Sequence, residues 1–244
     1  VGTIRFGRAL LVLACVVTVL AGVRSGAVPV QRSAETVPGV LRVMPLGASS
    51  TVGKGSPETA GYRGPLQELL ARDGVAVDLV GSLRDGPDSV PDRDHEGRSG
   101  ITLEAMEDRV AAWVRQAQPD VVLLHNGTND LLLGASAAET AERLTAVLDA
   151  IYGVSDAHVV VAGVWAPLPG HQRDRAEFTR LSRVVVDEQR ARGRSATFVD
   201  TSELLAPDEL ADGLHPNAEG YRRIAAMWER EIRAYLQVTR PAAR

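Results

Sequence analysis

The sequence has a single cysteine, Cys15, which lies in an apolar run near the start of the chain. The chain can therefore form no internal disulfide, and beyond that run it has neither a thiol nucleophile nor a thiolate metal ligand. Lysine is equally scarce, since Lys54 is the only one, and the formal net charge is −4. This charge argues against nucleic acid as a partner. Without disulfides, the protein must be held by its hydrophobic core, which 244 residues are enough to bury.

Long apolar runs are also scarce. The most apolar one, Ala9–Val23, follows two arginines and leads into Arg24-Ser25-Gly26-Ala27. A basic start, an apolar middle and a small-residue end are typical of a secretory signal peptide, and the run is shorter than the ~17–25 residues that a membrane-spanning helix needs. We predict a signal peptide at residues 1–27, secretion, and no stable membrane association after cleavage. An uncleaved signal anchor is the alternative.

The remaining chain predicts one α/β domain. Residues 28–39 read as a polar tether, residues 40–238 as the domain and residues 239–244 as a tail. Short β-branched runs alternate with amphipathic helices, which predicts a parallel sheet covered on both faces. The expected fold is a three-layer α/β/α sandwich with a five-stranded parallel sheet and a long loop over residues 81–100. The predicted strands are Val40–Leu46, Val75–Val80, Val121–Leu124, His158–Val164 and Ala196–Val199.

Chemically useful residues follow several of these strands. Ser49 follows the first strand, and the loop after the second ends in His95–Gly100. The segment Asn126–Asp130 follows the third, and Asp212–His215 comes after the fifth. The carboxyl ends of parallel strands share one sheet edge, where ligands bind in open α/β folds. A nucleophile, a base, a residue to orient the base and donors for an oxyanion would meet there, as acyl transfer requires.

The spacing Asp212-x-x-His215 permits a specific contact. Across a tight turn opened by Gly213, the carboxylate can accept a hydrogen bond from Nδ1 of the imidazole, which leaves Nε2 free to take a serine proton. The alternative is that Asp212-Gly213 is only a turn and that His215 simply precedes the last helix. Asn129 and Gly100 have similar alternatives, as a loop amide bonded to its own backbone and a turn glycine.

Four segments of the chain resemble the conserved blocks of the SGNH (GDSL) hydrolases. They are PLGASST, HEGRSG, NGTND and DGLHP, in the family's order and spacing. The resemblance implies the flavodoxin-like SGNH fold, with Ser49 as nucleophile and His215 as base oriented by Asp212. It also implies an oxyanion hole formed by the backbone N–H groups of Ser49 and Gly100 with the Asn129 side chain.

The first and second blocks look most like the acetyl xylan esterase branch. That implies a secreted serine esterase that removes acetyl groups from carbohydrates or small esters. We expect the protein to be a monomer and to need no cofactor or metal. One departure is Ala48, where the family usually has Asp. Two alternatives stay open: a lipid-directed esterase or lysophospholipase, and a carbohydrate-binding relative that keeps the fold without the reaction.

Other polar and apolar groups near these segments have competing interpretations. The spacing of Asp92, Asp94 and Glu96 could supply calcium ligands, although a solvated acidic loop is favoured. We interpret His125 and His171 as structural or surface residues. The leucines 131–133 could line an acyl groove, with helix-start packing favoured, and Trp165 could line the same groove or stack on a sugar ring.

Overall fold

The computed structural model describes residues 39–239, and within them strands and helices alternate as the sequence predicts. The predicted signal peptide, nearly all of the predicted tether and the tail after residue 239 lie outside the described residues. The strands are β1 Leu41–Gly47, β2 Val77–Leu79, β3 Leu83–Arg84, β4 Asp94–Gly97, β5 Val121–His125, β6 His158–Ala162 and β7 Ala196–Val199. The helices are α1 Ser49–Val52, α2 Arg63–Arg72, α3 Leu103–Ala117, α4 Thr128–Leu132, α5 Ala137–Tyr152, α6 Gln172–Ala191 and α7 Ala218–Thr239.

The sheet is parallel except at one edge. Strand β1 pairs with β5, and β6 and β7 continue the sheet on that side. On the other side of β1, β2 pairs with its first half (Leu41 with Val77) and β4 with its end (Leu46 with Glu96). The short strand β3 pairs antiparallel with β4. The predicted three-layer α/β/α fold is confirmed.

The strand count differs from the prediction, because β3 and β4 lie within residues 81–100, which the sequence pattern assigned to a loop. These strands read Leu-Arg and Asp-His-Glu-Gly. Neither is long enough, nor apolar enough, to show the alternation that marks a strand. The long-range pairing of β4 with β1 therefore fixes a structure that local sequence does not indicate.

The core is built from strands buried on both faces and from capped amphipathic helices. All five residues of β5 and of β6 are buried, as expected for central strands between two helical layers. The helices pack in two groups, α2 with α7, and α5 with both α3 and α6. Helix α3 begins where Thr102 Oγ1 accepts a hydrogen bond from the N–H of Ala105. Ser136 and Glu139 form a capping box that begins α5.

Two glycines bring the short helix α1 against the sheet edge. A Cβ atom on Gly47 would lie 2.6 Å from Oγ1 of Thr51 in α1, and one on Gly97 would lie 2.9 Å from the side chain of the same residue. Any larger residue at either position would push α1 away from the sheet. The first residue of α1 is Ser49, so these close approaches set where that side chain lies.

Among residues 39–239, no helix combines the length and the apolar character needed to cross a bilayer.

Candidate active site

Ser49 begins α1, at the carboxyl end of β1. Its Oγ lies 2.9 Å from Nε2 of His215, which comes from the loop before α7. Ala48, the residue before the helix, makes no side-chain cap, since a methyl group cannot accept a hydrogen bond. The structure thus brings together a serine and a histidine that lie 166 positions apart in the sequence.

The carboxylate of Asp212 contacts both the imidazole ring and the backbone of His215. The carboxylate Oδ2 lies 2.8 Å from Nδ1 of His215. Oδ1 accepts hydrogen bonds from the backbone N–H groups of His215, at 2.8 Å, and Leu214, at 3.1 Å. These backbone bonds, followed by the bond to the imidazole, lower the pKa of Asp212 to about 2. Gly213 has a φ of +79°, which suits the turn that the sequence predicts between the two residues.

The predicted oxyanion donors lie beside the same serine. Gly100 has a φ of +82°, a conformation that glycine adopts readily, and it lines one cleft together with Ser49 and Asn129. Nδ2 of Asn129 donates a hydrogen bond of 2.9 Å to the carbonyl of Ile101. A primary amide has two N–H groups, so this bond orients the side chain and leaves one donor for a ligand.

Asp130 supports this arrangement, and the sequence reasoning gave it no role. Its side chain is fully buried. One carboxylate oxygen accepts a hydrogen bond of 2.9 Å from the N–H of Leu103, and the other pairs with Arg143 at 3.0 Å. Asp130 therefore ties the helix that carries Asn129 to the start of α3, just after Gly100. The signal available in the sequence was an acidic residue directly after the motif asparagine.

The cleft has a volume of about 230 Å³ and is lined by Ser49, Gly100, Asn129, His215, His125 and Trp165, among others. The rings of His125 and Trp165 are stacked, with their centroids 3.3 Å apart and their planes at 5°. Burial lowers the pKa of His125 to about 3, so its imidazole is neutral. Trp165 is only 2% exposed. The suggestion that Trp165 offers a face to a sugar ring is therefore wrong, because His125 and the protein interior cover the indole.

The leucines after Asn129 do not form an acyl groove. Leu131 is fully buried, whereas Leu132 and Leu133 are exposed, and none of the three lines the cleft. Packing at the start of a helix, the favoured interpretation, accounts for Leu131.

The carboxylates of the segment Asp92–Glu96 contact backbone N–H groups and an arginine of the same chain. Asp92 Oδ2 accepts a hydrogen bond of 2.6 Å from the N–H of Leu79, and Glu96 Oε2 accepts one of 2.9 Å from the N–H of Ser82. Asp94 forms an ion pair of 2.6 Å with an arginine of β3. In the part of the chain that the structure describes, no group of three or more histidine, aspartate or glutamate side chains is placed to hold a metal ion. His171 stands just before α6, away from the residues that line the cleft.

Comparison with known proteins gives consistent results. Residues 46–223 match the model of the GDSL-like lipase/acylhydrolase family. A multidomain esterase of Ruminococcus flavefaciens is 29% identical over 235 residues, which cover 82% of this chain and 29% of that protein. A putative endoglucanase X of Acetivibrio thermocellus is 29% identical over 119 residues, which cover 48% of this chain and 51% of that protein. The chain thus matches less than a third of the length of the first of these curated relatives and about half of the second.

Solved structures extend the similarity to the fold. A family 3 carbohydrate esterase of Clostridium thermocellum superposes with a TM-score of 0.74 at 32% identity, covering 82% of this chain and 98% of that one. A family 3 carbohydrate esterase of Talaromyces cellulolyticus superposes with a TM-score of 0.67 at 24% identity, covering 81% of this chain and 98% of that one. At the lower identity, the second comparison supports the fold alone.

Proposed function

The chain belongs to the GDSL-like lipase/acylhydrolase family, and we propose that it is a serine esterase that removes short acyl groups, acetyl above all, from carbohydrates. The match confirms the family predicted from the four sequence blocks and, with it, the predicted reaction class of carboxylic ester hydrolysis. The observation that carries the finer proposal is the hydrogen-bond chain from Ser49 Oγ through His215 to Asp212, at 2.9 and 2.8 Å.

The first half of the reaction forms an acyl-enzyme. Nε2 of His215 takes the proton of Ser49 Oγ as that oxygen attacks the ester carbonyl carbon. Asp212 holds the other proton on Nδ1 and stabilises the imidazolium that forms. When the tetrahedral intermediate collapses, the carbon–oxygen bond to the alcohol breaks, and the imidazolium gives its proton to the leaving oxygen. The acyl group then remains on Ser49 as an ester.

The second half returns the enzyme to its starting state. A water molecule gives one proton to Nε2 of His215 and attacks the acyl carbon. Collapse of the second tetrahedral intermediate releases the carboxylic acid, and the proton on Nε2 returns to Ser49 Oγ. In both halves the negative oxygen is stabilised by the N–H groups of Ser49 and Gly100 and by the free N–H of Asn129. One such donor is worth roughly 10²–10³-fold in kcat, and the bond from Asn129 to Ile101 orients it before the reaction.

The cleft supports a short acyl group. Its walls include small residues (Ala48, Gly100 and Ala166) and the stacked rings of His125 and Trp165. A groove for a fatty chain would instead gain about 0.8 kcal/mol for each methylene that it buries, and the leucines at 131–133 do not provide one. The structural relative at 32% identity is named a family 3 carbohydrate esterase, which supports a carbohydrate as the alcohol component.

The test is a series of nitrophenyl esters from acetate through butyrate and octanoate to palmitate. We expect kcat/KM to be highest for acetate, acetate to be released from acetylated xylan, and both activities to disappear in Ser49→Ala. A maximum at octanoate or longer would refute the short-chain proposal in favour of the lipid-directed alternative. A well-folded protein without any ester turnover would favour the carbohydrate-binding alternative.

We further propose that the protein acts outside the cell as a monomer. Its extracellular part rests on the signal-like pattern of residues 1–27, and the monomeric state is an expectation that no observation supports directly. N-terminal sequencing of the protein from the culture medium should give a start at Val28, and light scattering should give the mass of one chain. A membrane-bound protein that retains residues 1–27 would support the uncleaved anchor.

A further inference from the structure

The turn Gly53–Gly55 lies between the proposed nucleophile and the proposed base. On one side, the backbone N–H of Lys54 donates a hydrogen bond of 3.0 Å to the carbonyl of Ser49, and the N–H of Gly53 donates one of 3.1 Å to the same oxygen. On the other side, Gly55 touches the histidine loop. A Cβ atom on Gly55 would lie 2.3 Å from the carbonyl oxygen of Pro216 and 3.2 Å from Cβ of His215. The turn therefore contacts both partners of the serine–histidine pair through its backbone.

Tyr221 fixes this turn to the helix that follows the base. Its hydroxyl donates a hydrogen bond of 2.7 Å to the carbonyl of Lys54, across 167 positions of sequence. The ring is fully buried, and burial raises the pKa of the phenol, so the hydroxyl keeps its proton and remains a donor. Tyr221 lies in the first turns of α7, where its N–H bonds the carbonyl of Asn217, two residues after His215. One side chain thus connects the histidine loop to the serine turn.

Arg63 holds the other end of the serine helix. It is fully buried, and its guanidinium donates to the carbonyls of Thr51, at 3.2 Å, and Val52, at 3.1 Å. These are carbonyls of the last turn of α1, which a helix leaves without internal partners. The first turn receives no side-chain cap from Ala48. Side-chain anchoring of α1 is therefore found at its C-terminal end and in the turn that follows.

We infer that the turn Gly53–Gly55, locked by Tyr221, is a spacer that sets the distance between Ser49 Oγ and His215 Nε2. Gly55 and Tyr221 are positioning residues, because they act through the backbone of Ser49 and the loop of His215 and not on the substrate. This inference rests on the proposed function of the pair. Displacements of about an ångström in a reacting pair can lower a rate by about 100-fold, so a loosened spacer should be visible in kcat.

The mildest test is Tyr221→Phe, which removes one hydroxyl and leaves the ring in place. We expect kcat for nitrophenyl acetate to fall about tenfold, within the range that a small misplacement produces, while KM stays unchanged. The matched control is Tyr152→Phe, since the Tyr152 hydroxyl also donates to a backbone carbonyl, that of Ser195, at 2.6 Å. That contact lies at the start of β7, and kcat should keep its wild-type value in the control.

Gly55→Ala tests the other side of the spacer. The φ of Gly55 is +97° and its missing Cβ would meet the Pro216 carbonyl, so alanine must push the turn and the histidine loop apart. We expect a kcat loss of about 100-fold. Gly193→Ala is the control, because Gly193 has a φ of +81° with nothing within 4 Å of an added Cβ. It imposes similar backbone strain without the contact and should keep full kcat.

A second readout separates positioning from simple destabilisation. Covalent labelling of Ser49 by a fluorophosphonate needs the histidine to remove the serine proton, but no carbohydrate, and its rate should fall in parallel with kcat for each folded variant. If Gly55→Ala does not fold, Tyr221→Phe and its control decide. Wild-type kcat and labelling in Tyr221→Phe, or an equal loss in Tyr152→Phe, would overturn the inference. A Ser49→Ala protein that retains activity would instead refute the proposed function.

Discussion

Replacing Asp212 by asparagine should be more damaging than removing its side chain altogether. Oδ1 accepts two backbone N–H bonds, from Leu214 and His215, and lies 3.1 Å from Nδ1 of the His215 ring, whereas Oδ2 lies nearer to Nδ1, at 2.8 Å. The two backbone donors favour the oxygen of an asparagine at the Oδ1 position, which places its NH₂ group at the nearer contact to Nδ1. That group can only donate, so the contact favours an accepting Nδ1 and a ring proton on Nε2. His215 could then no longer take the proton of Ser49.

The expected loss in kcat follows from this wrong tautomer, and a loss of about 10⁴-fold is typical of such a change. In Asp212→Ala the ring is free to keep its proton on Nδ1. Because the Asp212 side chain is 50% exposed, water can replace the lost acceptor, and we expect a smaller loss than in Asp212→Asn. A tenfold difference between the two variants would correspond to about 1.4 kcal/mol of activation free energy.

The assay is kcat on nitrophenyl acetate near pH 7.5, with circular dichroism melting curves to show that both variants fold. An asparagine variant as active as the alanine variant, or more active, would refute the tautomer argument. It would leave Asp212 as a residue that only shapes the turn.

Three further predictions concern other parts of the site and the core. Asn129→Ala should lower kcat by roughly 10²–10³-fold with little change in KM, because an oxyanion donor acts in the transition state; a rise in KM alone would make Asn129 a substrate-binding residue. Ala48→Asp should change kcat by less than about tenfold, because residue 48 is not a reacting group, and a thousandfold gain would show that the natural chain is a crippled enzyme. Burial lowers the pKa of His125 to about 3 and, as the largest cause, that of His95 to about 4, whereas both protonate near 6.5 when unfolded. The unfolded state therefore binds more protons than the folded state below pH ~6.5. The free energy of unfolding should fall by up to ~1.4 kcal/mol per pH unit for each histidine as the pH drops from 6.5 towards 4. Urea unfolding at pH 7 and pH 4.5 should show this fall, and equal stability at the two pH values would contradict it.

Features fixed by local sequence were predictable. The apolar runs of β5 and β6 and the caps at Thr102 and Ser136 can be read over a few residues, and the structure has these elements within a few positions of the predicted bounds. The positions of Ser49, Asn129 and His215 at strand ends also followed, because the order of strands in a parallel sheet brings those ends to one edge. Their roles in catalysis remain proposals that the variants above test.

Features fixed by long-range contacts were not predictable. Strand β4 exists because it pairs with β1, and no apolar alternation marks it. Tyr221 is buried in the core, but its hydroxyl partner lies 167 positions away in the sequence. From the sequence, Trp165 could equally well line an acyl groove or stack on a sugar ring. Only the structure, in which the ring of His125 stacks on the indole, excludes the sugar-stacking role.

Ala48 illustrates how the two kinds of information combine. The sequence alone shows a departure from the usual Gly-Asp-Ser block and raises the question of what braces the serine. A short helix such as α1, four residues long, has almost no stability of its own, so its geometry must be imposed by its neighbours. The structure supplies those neighbours at the far end of the helix: Arg63 on the last carbonyls and Tyr221 on the turn behind them. Because the contacts that hold α1 involve the backbone carbonyl of Ala48 but not its side chain, losing a polar side chain there need not disturb the 2.9 Å bond to His215. The departure at Ala48 is therefore compatible with a working serine–histidine pair.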